Sequence, residues 1–216
     1  MRGLDKALRV LFPRRAVCMG CGGLTGCAED WICPDCRRAL NENWIGAGPP
    51  PEGLDGAAYA YAYRDPAARV VRQLKYVGVS ALAGFMARDM VMAYDFIAPT
   101  GADCVTCVPM HPRRLRRRGF NQAALLARDV AGRLELPFVE ALRTVRPVRQ
   151  QARLDGAARL QNLRDAFAAE GVAGRRVLLV DDVCTTGATA RACARALRDA
   201  GAKNVYLLCY AKAGKQ

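Results

Sequence analysis

A chain of 216 residues, 52% hydrophobic and 25% charged, is long enough to bury a core and too apolar for a disordered segment. Its net charge of +13, from 33 Lys+Arg against 20 Asp+Glu, favours polyanionic partners: nucleic acid, a phosphorylated small molecule or an anionic membrane face. An arginine-rich composition alone would give the same total. No apolar run approaches the roughly 20 residues of a membrane-spanning helix, which excludes a helical membrane protein. Asp5, Lys6 and Arg9 interrupt the apolar stretch that a secretion signal needs, so a cytoplasmic location is expected.

Taken in chain order, Leu4, Leu8 and Leu11 stand at helical spacing and predict a short amphipathic helix. Residues 18–36 then read CMGCGGLTGCAEDWICPDC. Two C-x2-C pairs, Cys18/Cys21 and Cys33/Cys36, present four thiolates on two tight knuckles, the pattern of a closed tetrahedral Zn2+ site with a structural role. Two disulfides or a redox pair are the alternatives, although a cytoplasmic chain with ten cysteines favours metal and buried thiols. Cys27, between the pairs, is a fifth candidate and reads as a free thiol. Residues 41–53, NENWIGAGPPPEG, look like a linker. Two units follow from this: a head over 1–48 and a main domain over 49–216.

Within the main domain, residues 57–63 alternate so as to place Tyr59, Tyr61 and Tyr63 on one face of a strand, where they pack in a core or stack on bases. Helices are predicted over 65–76 and 79–94, a strand over 104–110, and an arginine-bearing loop over 111–120. A helix from about Asn121 to Leu134, a buried strand over 177–180, a helix over 187–200 and a strand over 204–211 complete the pattern. Alternation of this kind gives an α/β fold with a mainly parallel, twisted sheet, whose ligands bind beyond the carboxyl ends of the strands. Cys104, Cys107, Cys193 and Cys209 sit in apolar runs and read as core. His111, the only histidine, reads as a contact at the end of a strand.

Residues 177–190 read VLLVDDVCTTGATA. Asp181 and Asp182 end an apolar strand, and the small loop after them leads into a helix. Free N–H groups at that helix start, with the hydroxyls of Thr185, Thr186 and Thr189, suit a monophosphate. Two carboxylates would repel that phosphate, so they suit a vicinal diol, which donates hydrogen bonds to them. One ligand offers both ends: a ribose 5-phosphate. A generic strand-to-helix turn or a Walker-B strand are the rival readings, but no G-x-x-x-x-G-K-[ST] loop accompanies the latter.

The same stretch resembles the phosphoribosyl diphosphate (PRPP) motif of type I phosphoribosyltransferases. That resemblance implies ribose contacts, hence catalytic roles, for Asp181 and Asp182. It implies 5-phosphate contacts for Cys184, Thr185, Thr186, Gly187, Ala188 and Thr189. Together with YAYRDPAARVVRQLKYVG (61–78), VPMHPRRLRRRGFNQAALLARDVA (108–131), RQQARLDGAARLQNLRDAF (149–167) and the four-cysteine head, it is similar to the ComF family. These are phosphoribosyltransferase-like proteins associated with competence for DNA uptake. The resemblance implies a sheet of the type I phosphoribosyltransferase kind, PRPP and Mg2+ as ligands, and a place near DNA-uptake proteins. Arg118, Gly119 and Lys75 are then candidates for the pyrophosphate, with a solvent-facing helix position as the rival reading of Lys75. Arg113, Arg114, Arg116 and Arg117 are candidates for single-stranded DNA. Arg149, Arg153 and Arg159 lie in a segment that resembles a mobile catalytic loop of amidophosphoribosyltransferases. There Arg159 and Asn162 keep their places, but Ala158 stands where an acid is expected. Two functions remain open: an enzyme that transfers phosphoribosyl groups, or a DNA-binding accessory protein with a regulatory PRPP pocket.

Overall fold

The structure is a computed structural model and describes residues 17–23, 31–77, 80–97, 101–145 and 166–214. Leu4, Leu8, Leu11, Cys27, Arg149, Arg153, Ala158, Arg159 and Asn162 lie outside the described residues. The described elements are α1 (Pro34–Glu42), β1 (Trp44–Gly48), β2 (Gly56–Ala62), α2 (Ala67–Val77), α3 (Ser80–Tyr94) and β3 (Cys104–Cys107). They continue with α4 (Pro112–Arg118), α5 (Gln122–Arg133), β4 (Leu142–Thr144), β5 (Phe167–Ala169), β6 (Arg176–Cys184), α6 (Ala188–Asp199) and β7 (Asn204–Lys212).

A five-stranded sheet in the order β1-β2-β7-β6-β3 organises the chain. Strands β2, β7, β6 and β3 are parallel, and β1 runs antiparallel along the edge of β2. Strands β4 and β5 form a separate antiparallel pair. The run Val177–Val180 is apolar at every position because both faces of β6 are covered. Val177 and Leu179 pack with Cys193, Ala194 and Leu197 of α6. Leu178 and Val180 face the other way, into a core with Met86 and Met90 of α3 and Leu126 and Val130 of α5. This period of two decides where the acids point.

Several expectations change. The stretch read as a linker contains β1, whose register pairs Trp44 with Tyr61 and Gly48 with Ala57. Its glycines disguise a strand, and Gly46 adopts a positive φ of 73°. The arginine loop is helix α4: Pro112 opens it, the His111 side chain caps it by accepting from Arg113 N–H at 3.2 Å, and Gly119 closes it with a φ of 84°. Tyr59 and Tyr61 are both buried but belong to different cores, and each hydroxyl finds a polar partner of its own. Tyr59 donates to the Pro49 carbonyl at 3.4 Å and Tyr61 to Asp89 Oδ2 at 2.9 Å. The acids lie inside β6, not beyond it, since that strand continues to Cys184. Cys104, Cys107, Cys193 and Cys209 are buried, as expected. No helix among the described residues is long and apolar enough to cross a membrane.

Candidate functional site

The threonine loop joins β6 to α6 at the carboxyl edge of the parallel strands. It borders a small, partly open cleft of about 30 Å³ whose lining includes the candidates Asp181, Cys184, Thr185, Gly187, Ala188 and Thr189 together with Val183, Ala190, Leu207 and Cys209. Gly187 is the N-cap of α6 with a φ of 75° and has no side chain to cap it; Thr186 Oγ1 accepts the Ala188 N–H at 3.4 Å, and no other side chain among the described residues caps the first turn. A helix start with N–H groups left open toward a cleft is an anion site in waiting. Glycine is required for two reasons. Its φ is left-handed, and a Cβ there would lie 2.8 Å from Cβ and Cγ of Pro51. Lys212, at the end of β7, fastens the loop by donating to the Thr185 carbonyl at 2.9 Å and to Cys184 Sγ at 3.4 Å. A hydrogen bond from Cys209, joined by Lys212, outweighs burial and lowers the Cys184 thiol to about 6.

Sequence reasoning put both acids on one ligand. The strand separates them. Asp181 faces the cleft, and its Oδ1 accepts the Asp182 N–H at 2.8 Å. Asp182 faces the opposite side, is 4% exposed, and is already engaged. Lys75 Nζ of α2 lies 2.5 Å from its Oδ2, and Gln122 Nε2 of α5 donates to its Oδ1 at 3.1 Å. Burial and the neighbouring Asp182 push the Asp181 carboxyl well above its usual range. Burial acts on Asp182 in the same direction, but Lys75 and the hydrogen bonds around it prevail and pull it below the ordinary value. The two neighbouring carboxyls are thus pushed in opposite directions, Asp181 by burial and by Asp182, Asp182 by Lys75 and its hydrogen bonds.

The solvent-facing reading of Lys75 is corrected by that ion pair, in which the lysine side chain is only 23% exposed. Arg118, at the end of α4, reaches the same group of residues: its Nη1 donates to Gln122 Oε1 at 2.5 Å, and its guanidinium lies 5.8 Å from the centre of the Tyr76 ring. Gly119 ends α4 and donates its N–H to the Leu115 carbonyl at 2.7 Å. Arg113, Arg114, Arg116 and Arg117 are exposed on the same helix. Gln122 is a site residue that sequence reasoning missed. The available signal was its place right after Asn121, whose side chain caps α5 by accepting from Ala123 N–H at 3.1 Å and so fixes where the helix starts.

In the head, Cys18, Cys21, Cys33 and Cys36 are free thiols whose sulfur atoms all lie within 4.8 Å of one another. Tetrahedral zinc with Zn–S near 2.3 Å requires sulfurs about 3.8 Å apart. Cys21 and Cys33 Sγ stand 3.9 Å apart. Cys18 Sγ accepts N–H groups of Gly20, Cys21 and Cys33 at 3.3, 3.4 and 3.2 Å. Burial opposes ionisation of Cys18, but those donors overcome it and bring the thiol to about 6. A Cβ on Gly20 would lie 2.7 Å from Cys36 Sγ, so the knuckle closes only around glycine. Thiolate-stabilising donors and this spacing fit a four-sulfur metal site.

Residues 120–216 match the model of the phosphoribosyl transferase domain. The chain is 30% identical over 204 residues to the DNA utilization protein YhgH of Escherichia coli strain K12, covering 89% of this chain and 88% of that one. It is 25% identical over 204 residues to the competence protein ComFC of Bacillus subtilis, covering 91% and 83%. Among solved structures, the glutamine PRPP amidotransferase from B. subtilis complexed with ADP and GMP is similar at 27% identity and a TM-score of 0.40. That similarity covers 58% of this chain and 25% of that one.

Proposed function

Because the chain belongs to the ComF family of phosphoribosyltransferase-like proteins, we propose that it binds PRPP with Mg2+ at the carboxyl edge of its sheet and acts in DNA uptake. The observation that carries this reading is one cleft that holds Asp181 and the open N-terminus of α6, across β6 from the paired cations Lys75 and Arg118. The 5-phosphate belongs at Cys184–Thr189, where Thr185, Thr186 and Thr189 supply hydroxyls beside free N–H groups. Asp181 is the acid with an open face, so it takes the first share of the ribose diol. Asp182, held on the other face of β6 by Lys75 and Gln122, keeps those groups in place beside the ribose.

Cleavage at C1 of such a ligand builds positive charge on the ribose and negative charge on the departing pyrophosphate. Carboxylates on the ribose side and cations on the leaving-group side therefore both favour it. Mg2+ would come with the pyrophosphate oxygens and neutralise them. In calorimetry, PRPP affinity should depend on Mg2+ and vanish in Asp181→Ala/Asp182→Ala; undiminished binding by that variant rejects the ribose assignment.

A second reading is favoured by the exposure of Arg113, Arg114, Arg116 and Arg117 on one short helix. It makes the chain a single-stranded-DNA-binding accessory in which PRPP regulates rather than reacts. Affinity for an oligonucleotide should then fall steeply with salt. Replacing Arg113, Arg114, Arg116 and Arg117 by glutamine should flatten the logarithmic salt dependence by about 0.7 for each lost phosphate contact. An unchanged slope removes this reading. Zn2+ in the head serves both as a structural ion, held by Cys18, Cys21, Cys33 and Cys36.

A further inference from the structure

The ion network behind the acids points to a residue with a task of its own. This inference rests on the PRPP reading above. We propose that Gln122 is a positioning residue: it uses the buried Asp182 to aim Arg118, alongside Lys75, at the pyrophosphate of the ligand, and so helps the site favour diphosphorylated over monophosphorylated ribose.

The geometry is directional. Asp182 has one oxygen on Lys75 Nζ at 2.5 Å and the other on Gln122 Nε2 at 3.1 Å. The same amide presents Oε1 to Arg118 Nη1 at 2.5 Å. An amide has one accepting and one donating end, and here each end faces a charge of the matching kind. Turned over, it would set its oxygen against a carboxylate and its NH2 against a guanidinium. The charges on both sides therefore fix its orientation, and Gln122 transmits the position of a buried acid to an arginine at the surface. Arg118 is further held over the Tyr76 ring at 5.8 Å. Arg113, Arg114, Arg116 and Arg117, all exposed on the same helix, have no contact of this kind with the acid pair among the described residues.

Asp182 thereby gathers two cations, Lys75 directly and Arg118 through the amide, on the side of β6 opposite the monophosphate cleft. A ligand with a single phosphate in that cleft leaves them unused. A ligand with a second anionic group engages them, and finds Arg118 already ordered. Ordering a long side chain in advance is worth roughly 2- to 12-fold in affinity.

The test compares wild type, Gln122→Met, Arg118→Met and the double variant by calorimetry with three probes in Mg2+: PRPP, inorganic pyrophosphate and ribose 5-phosphate. Gln122→Met should weaken PRPP and pyrophosphate roughly 2- to 12-fold and leave ribose 5-phosphate unchanged. The double variant should bind PRPP no more weakly than Arg118→Met, because both substitutions remove one device. Gln122→Leu replaces Gln122→Met if the latter does not fold. Wild-type binding by Gln122→Met, an equal loss of ribose 5-phosphate, or multiplying losses in the double variant would each overturn the assignment while leaving PRPP binding intact. A wild-type protein without affinity for any of the probes overturns the PRPP reading itself, and this inference with it.

Discussion

Replacing Asp89 by alanine is expected to lower the free energy of unfolding by about 3–5 kcal/mol, the loss found when one partner of a buried ion pair is removed. Asp89 lies in α3 and is 3% exposed. Its Oδ2 accepts from Arg37 Nη1 of α1 at 2.9 Å and from the Tyr61 hydroxyl of β2 at 2.9 Å, and Arg88 Nε stands 3.5 Å from Oδ1. Arg37 also lies over the Phe85 ring, 4.8 Å from its centre. One carboxylate thus joins the helix that follows the cysteine knuckles to the sheet and to the long helix behind it. Alanine would leave the Arg37 cation without its carboxylate and the buried Tyr61 hydroxyl without its acceptor. Urea denaturation should show an earlier midpoint with a similar slope. Asp89→Asn, which keeps an acceptor for Tyr61, should lose less. Arg37→Met combined with Asp89→Leu should recover much of the deficit, because removing both charges abolishes the desolvation cost as well as the attraction. A midpoint unchanged in Asp89→Ala would show that the pair contributes nothing to joining head and sheet.

The sequence pattern carries the parallel sheet well where both faces are buried: runs such as Val177–Val180 have no polar residue to obscure them. It also carries the cysteine knuckles, because two thiols on a tight turn depend on local spacing alone. Other features were hidden by composition. Helix α4 looked like a loop because five arginines swamp its pattern, although Pro112 at its start and Gly119 at its end were both visible. Strand β1 was hidden by Gly46 and Gly48. The split between Asp181 and Asp182 required only the correct strand end. Once β6 runs to Cys184, adjacent residues must face opposite sides. The partners of Asp182 were out of reach altogether. Lys75 and Gln122 are 107 and 60 residues away in sequence, and nothing local reveals that two helices bring them to one acid. The same holds for Arg37, whose partner Asp89 is 52 residues away.

The contact between Arg37 and Asp89 would make a metal in the head consequential for the whole chain. The purified protein should carry one zinc ion per chain by elemental analysis, and stripping it should do more than loosen a terminal appendage. Cys18, Ile32, Cys36 and Leu40 are buried in the same core as Met86, Val130 and Leu208 of the sheet and its helices. Cys33 caps α1 by accepting the Cys36 N–H, so the ligands and the helix start are the same residues. Without the ion, four thiolates within 4.8 Å of one another would repel or take up protons, and the knuckles would open. Leu40 would then leave the core, and Arg37 would leave Asp89. Structural zinc in small zinc-finger peptides contributes apparent binding energies of about 10–16 kcal/mol, comparable to or above the total stability of many domains. A chelator strong enough to remove zinc should therefore bring down the thermal midpoint of the sheet along with the head, and Cys36→Ser should do the same. Asp89→Ala should also release zinc faster, since the two devices hold the same helix. If the metal-free protein melts where the zinc-bound protein does, with α1 still ordered, the four sulfurs serve some purpose other than joining this head to this sheet.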